Sequence, residues 1–369
     1  MTPRERALAV YRGDTPDRVP LFLDLSHWYR RNRGVPFDLA GFPGVEAGLV
    51  DLHRTIGAIA YVEMGSFYDL SYDDPSVEER AWTIGGVYRH ELKTPIGTVW
   101  EERRFSPASY SYNISHRLLQ STDDFDVVLY AMERRRVRPR YDRYEAWQTA
   151  HGERAFIYMQ LPYSGLGYLM SRYMGVERSV YAIYDRPDRV GALVDGVNTA
   201  NLKILDAIAD GPFDVLFQSD NLDGNVQTPS LFSRYSAPYY AELCDRMHRQ
   251  GKYVSVHVDG EMRGLLGPLA ACGVDCIDAA TPAPMFSLSP HEAREAAGDE
   301  MILSGGIPAT VFGARGTDAE FDRAVIEWLT TRTASSRLIL AAGDQVPPDA
   351  PWDRIIRLPD LIDQHGRYD

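Results

Sequence analysis

The run Tyr253-Val-Ser-Val-His-Val-Asp-Gly260 sets an imidazole and a carboxylate two residues apart where a β-forming stretch ends. Side chains at i and i+2 of a strand share a face, so His257 and Asp259 can aim at one point. Such a pair can ligate a metal or work as acid and base. It can equally be a strand end with a hydrogen-bonded aspartate. Polar residues recur at other strand ends: Glu63, then Gln160 and Tyr163, then Ser219 and Asp220 with Asp223 close by. Asp278, Ser304 with Gly305 and Gly306, and Asp344 after Gly343 continue the series. Loops are polar anyway, which explains any one of these residues. The concentration of acids around one histidine points to a functional rim.

The elements that must position these residues alternate. Strands are expected at 19–24, 58–63, 155–160, 215–219, 253–258, 274–279, 301–304 and 337–341. Helices are expected at 187–210, 229–250, 261–272, 290–297 and 317–333 between them. Thr2-Pro-Arg-Glu-Arg reads as a capped helix start. Strand–helix alternation implies a parallel sheet, and about eight units suggest a closed (β/α)8 TIM barrel in one domain spanning 1–369. The alternative is a doubly wound open sheet, but no G-x-G-x-x-G follows the first strand. Val87-Tyr-Arg-His-Glu-Leu and Thr94-Pro-Ile-Gly-Thr-Val-Trp-Glu break the rhythm. They predict an antiparallel hairpin at 80–105 near the barrel mouth.

The formal net charge of −13 argues against nucleic acid as a partner. No run approaches 18 consecutive apolar residues, so no membrane span is expected. The N-terminus lacks the apolar stretch of a secretion signal. Three cysteines give no disulfide framework and suit a reducing cytoplasm. Cys272-Gly-Val-Asp-Cys276 has no second Cys/His pair nearby and reads as structural.

Several blocks carry a resemblance. Met1-Thr-Pro-Arg-Glu-Arg-Ala-Leu-Ala-Val-Tyr-Arg-Gly-Asp-Thr-Pro-Asp-Arg-Val-Pro resembles the start of the uroporphyrinogen decarboxylase superfamily. So do Thr94-Pro-Ile-Gly-Thr, the block from Gln218 through Pro282, Ser304-Gly-Gly-Ile-Pro, and Gly343-Asp-Gln-Val-Pro-Pro-Asp-Ala-Pro. The resemblance implies a barrel and two branches: cofactor-free porphyrinogen decarboxylases, and metal-dependent methyltransferases that work with corrinoids. Against the decarboxylase pattern, Tyr168 and Ser219 match. Arg30, Arg31 and Arg33 are displaced, the essential aspartate falls near Glu63, and a late histidine falls on Asp344.

The methyltransferase branch has a zinc motif of His-x-Cys-Gly plus a later cysteine. Here the matching positions are His257, Asp259 and Asp344, so the histidine stays and two aspartates replace two cysteines. Zinc accepts carboxylate oxygen, though such a set could also suit manganese or ferrous iron. The resemblance therefore implies a metal-assisted methyltransferase or demethylase for a small substrate. His257, Asp259 and Asp344 would hold a divalent metal, zinc first. Glu63 and Tyr168 would be catalytic. Ser219, Asp220, Arg30 and Arg31 would bind substrate. A methylcorrinoid would be the co-substrate, and a corrinoid protein and a second copy in a homodimer are the expected partners. The rivals are a decarboxylase using the arginines as a carboxylate clamp, and a non-catalytic barrel that binds without chemistry.

Overall fold

The computed structural model describes residues 1–35, 39, 45–62 and 67–368. Strands β1 (Phe22–Leu23) and β2 (Ile59–Val62) begin a parallel ring. An insertion follows, holding β3 (Tyr68–Tyr72), β4 (Glu78–Ile84), β5 (Val87–Lys93), β6 (Thr98–Ser106), β7 (Ser111–His116) and β8 (Arg135–Pro139). The ring resumes with β9 (Ala155–Ile157), β10 (Met159–Leu161), β11 (Val215–Gln218) and β12 (Tyr253–His257). It ends with β13 (Cys276–Ala280), β14 (Ile302–Ile307) and β15 (Leu338–Ala342).

β9 and β10 are one strand that changes partner at Tyr158: β9 pairs with β2, and β10 with β11. A parallel bridge between Leu21 and Leu340 joins the first strand to the last. The described residues thus close a barrel of eight parallel strands, as the alternation predicts.

Both faces of these strands are covered, so they read as continuous apolar runs rather than alternating ones. β13 and β15 are buried at every position. The barrel interior takes Phe22, Phe156, Tyr158, Phe217, Cys276 and Ile339. The helix Pro3–Arg12 adds Ala7, Leu8, Val10 and Tyr11 to that interior. Its start is the capping box expected from Thr2 and Glu5, with Pro3 at its first turn.

Two expected helices are shorter than the periodicity suggests. The stretch 229–250 splits into Pro229–Tyr235 and Ala237–Arg249 at Ser236. Pro238 has no N–H to give and its ring crowds the carbonyl four residues back, which ends the first helix. In 261–272 only Leu266–Ala271 is helical, because Gly264 sits at φ +83°.

The hairpin expected at 80–105 is present as β5 and β6, turning at Thr94–Gly97. It belongs to a larger antiparallel sheet, β4-β5-β6-β7, beside a separate β3–β8 pair. The insertion leaves the barrel after the C-terminal end of β2 and so stands on the mouth side.

Candidate active site at the barrel mouth

β12 and β13 run parallel with His257 opposite Asp278. His257 Nδ1 lies 2.8 Å from Asp278 Oδ2. A carboxylate only accepts, so this contact places the proton on Nδ1 and fixes the ring's orientation. The ring is buried and leans on Phe217 at 6.0 Å between centroids.

β13 carries a local distortion next to this pair. Its register with β14 shifts between Ile277 and Ala280, and Ala279 has φ +59°. An alanine in the left-handed region costs about 1–2 kcal/mol, strain of the kind that collects at functional sites. Gly305 fits the bulge because a Cβ there would meet the backbone of Ala280. Gly306, at φ +100°, has the Trp328 ring where a Cβ would be.

Asp344 follows β15. Thr281 Oγ1 donates to the Gly343 carbonyl at 3.0 Å and thereby holds the turn that presents Asp344. Burial raises the Asp344 carboxyl to about 7. His257 pulls it down, and Asp259 and Asp24 push it up. Asp259 is exposed on the rim, yet desolvation within the mouth raises its carboxyl too. Asp223 and Asp278 add to that rise, while His257 and a 3.0 Å hydrogen bond from Asn221 oppose it. Asp24, at the end of β1, completes the crowd. It is buried, and it accepts from the Ser26 amide at 2.8 Å.

The mouth therefore gathers His257, Asp259 and Asp344 with Asp278 and Asp24. Among the described residues, no three His, Cys, Asp or Glu side chains converge tightly enough to hold a metal ion. As placed, the expected ligand set does not close on an ion. Glu63 lies outside the described residues.

Beside the rim is a cavity of about 590 Å³ lined by Tyr68, Gln160, Tyr163, Tyr168 and Ser219, among others. Ser219 Oγ donates to the Leu161 carbonyl at 2.7 Å and accepts from Gln160 at 2.7 Å. Tyr163 links the cavity to the rim. Its hydroxyl donates to Asn221 at 2.9 Å, and Asn221 donates to Asp259. Tyr168 stacks on Tyr173 at 4.7 Å, and burial raises its phenol.

Three expected substrate contacts, Asp220, Arg30 and Arg31, fall elsewhere. Asp220 is fully buried and turned from the cavity. Its carboxylate accepts from the Ser164 amide (2.5 Å), Tyr240 (2.8 Å) and Gln218 (3.4 Å). Arg30 pairs with Glu46, as does Arg33 at 3.4 Å, and Arg31 is exposed on the same helix. None of these arginines lines the cavity. Sequence reasoning left Asp24 out of the rim and gave Asp278 no role. Cys276 lies in the barrel interior and Cys244 is buried among helices.

Residues 159–365, more than half of the chain, match the family model described as Uroporphyrinogen decarboxylase (URO-D). The chain belongs to the uroporphyrinogen decarboxylase family. The matched span holds β10 to β15 and so every described rim residue except Asp24. A solved structure of a methyltransferase from Methanosarcina mazei is similar in fold at 15% identity and a TM-score of 0.64, covering 99% of each chain. A 3-dehydroquinate dehydratase from Geobacillus kaustophilus HTA426 matches at a TM-score of only 0.29, with 15% identity over 67% of this chain and 77% of that one. No curated protein matches the sequence. Among the described residues, no helix is long and apolar enough to cross a membrane.

Proposed function

We propose that this family member is an enzyme that moves a methyl group between a small substrate and a corrinoid or similar carrier. The observation that carries the reading is the placement of His257, oriented by Asp278, with Asp259 at the end of β12, within electrostatic reach of Asp344 after β15. Barrel enzymes place their chemistry at this end. The family match and the fold shared with a methyltransferase support the reaction class.

Methyl transfer leaves a proton to be handled. When a carbon–oxygen bond of a methyl ether breaks, its electron pair stays on oxygen and that oxygen takes up a proton. Asp344 keeps a proton near neutrality and is suited to supply it, and His257 is oriented to assist. In the reverse direction the same groups accept the proton. The acidic rim is also where charge would draw a divalent cation, zinc first, and holding it would require His257, Asp259 and Asp344 to close together.

The decarboxylase reading finds less support. A carboxylate clamp needs uncommitted cations, and Arg30 and Arg33 are engaged by Glu46.

The test is single-turnover methyl transfer from methylcobalamin to candidate thiols, and from methyl ethers to reduced cobalamin, by purified protein with and without zinc. Transfer that falls at least about a hundredfold in His257→Ala and Asp344→Asn supports the proposal. Turnover of uroporphyrinogen at about 1 per second or faster, or transfer unaffected by both substitutions, overturns it.

A further inference from the structure

A second cavity, of about 450 Å³, lies beneath the inserted sheet, away from the His257 rim. It shares only Tyr163 and Tyr168 with the first cavity. Its charged wall is unusual for a chain with a net charge of −13. Arg103, Arg135 and Arg172 face Glu79 and Glu101 there.

The two acids are already engaged. Glu101 pairs with Arg103 at 2.5 Å. Glu79 accepts from Tyr72 at 2.5 Å and lies 2.8 Å from His90. Burial favours the protonated form of Glu79, but His90, Tyr72 and Arg135 outweigh it and hold the carboxyl down at about 2. Arg135 is only 9% exposed, yet its Nε and Nη1 find no hydrogen-bond partner among the described residues. A buried guanidinium with open donors is costly and calls for an explanation. Arg103 Nε and Glu101 Oε2 are likewise buried without a hydrogen-bond partner among the described residues.

The rest of the wall is aromatic. Tyr168 and Tyr173 stack at 14° between planes, and Tyr88 lies under Arg103 at 5.3 Å. Tyr72 faces Arg135. Planar donors match a carboxylate's two oxygens, and ring walls match a planar body.

We propose that this cavity binds a small aromatic carboxylate, with Arg135 anchoring the carboxylate and the tyrosines flanking the ring. This binding is independent of the methyl-transfer reading.

Calorimetry with 4-hydroxybenzoate, 4-hydroxybenzamide and inorganic phosphate tests it on the full chain. The expected result is that the carboxylate binds at least about tenfold tighter than the amide or phosphate. Arg135→Gln is expected to erase the preference over the amide, and Arg135→Lys to restore part of it. Equal binding of acid and amide, phosphate binding as tightly as the acid, or no acid binding up to about 10 mM each overturns the proposal. If Arg135→Gln does not fold, the acid–amide comparison on the unaltered protein still decides. Methyl transfer without acid binding would sink this inference alone, and acid binding without methyl transfer would sink the enzyme reading alone.

Discussion

Asp278 stands opposite His257 in the β12–β13 register, and the hydrogen bond between them spans 2.8 Å. Neither side chain could reach the other if the strands slipped by one residue, because a slip sends every side chain to the other face. The pair is thus a product of strand pairing.

Replacing Asp278 with Asn keeps the shape and removes the obligate acceptor. The imidazole then loses its enforced Nδ1 proton. Nitrogen-15 NMR of the His257 ring should show the tautomer shift, and the methyl-transfer rate should fall by about a hundredfold. Stability should drop by about 1–3 kcal/mol. A ring spectrum identical to that of the unaltered protein would remove Asp278 from this role.

Asp344 makes stability depend on pH. Its folded carboxyl titrates near 7, above the ordinary 3.8. Between those values the folded state binds more protons than the unfolded one, so stability falls as pH rises from about 4 to about 7. Asp344→Asn should therefore flatten the profile across that window and gain about 1–3 kcal/mol at pH 8 relative to the unaltered protein. Urea melts from pH 5 to 8 check this. An unchanged slope would mean the carboxyl is not held protonated.

How much of the site could be read in advance follows from two periodicities. Strand ends are legible, which is why His257, Asp259 and Asp344 stood out and lie close together. Cross-strand partners depend on register, which one sequence does not carry, so Asp278 had no assigned role. Ser219 and Asp220 were both expected to line the pocket, yet adjacent residues of an extended chain face opposite ways. Ser219 took the cavity and Asp220 the interior. Asp24 was hidden in an expected strand at 19–24 that ends at Leu23. The barrel was legible because buried parallel strands are apolar throughout, whereas the insertion's full extent was not. Its β4 and β7 face solvent on one side and carry weaker patterns.

Asp220 should act on stability rather than on substrate affinity. Its carboxylate closes three hydrogen bonds in a site with no exposure. Asp220→Ala leaves the Ser164 amide and the Tyr240 hydroxyl without their acceptor and should cost about 2–4 kcal/mol. Tyr240→Phe removes one donor and should cost about 1–2 kcal/mol. Denaturant melts measure both. A variant with full stability but weakened ligand binding would return Asp220 to the pocket.

Asn221 joins Tyr163 in the cavity to Asp259 on the rim, and among the described residues no other side chain bridges the two. Its amide donates to Asp259 and so favours the ionised carboxylate. Asn221→Leu fills similar space without a donor. The Asp259 carboxyl should then titrate at higher pH, followed by carbon-13 NMR of the labelled side chain. The exposed rim lets water replace part of the lost bond, so stability should change by no more than about 1 kcal/mol. Because Tyr163 loses its acceptor at the same time, ligand affinity in the adjoining cavity should weaken even though Asn221 does not line it. An Asp259 titration that stays in place would show that desolvation and the neighbouring carboxylates alone set its charge.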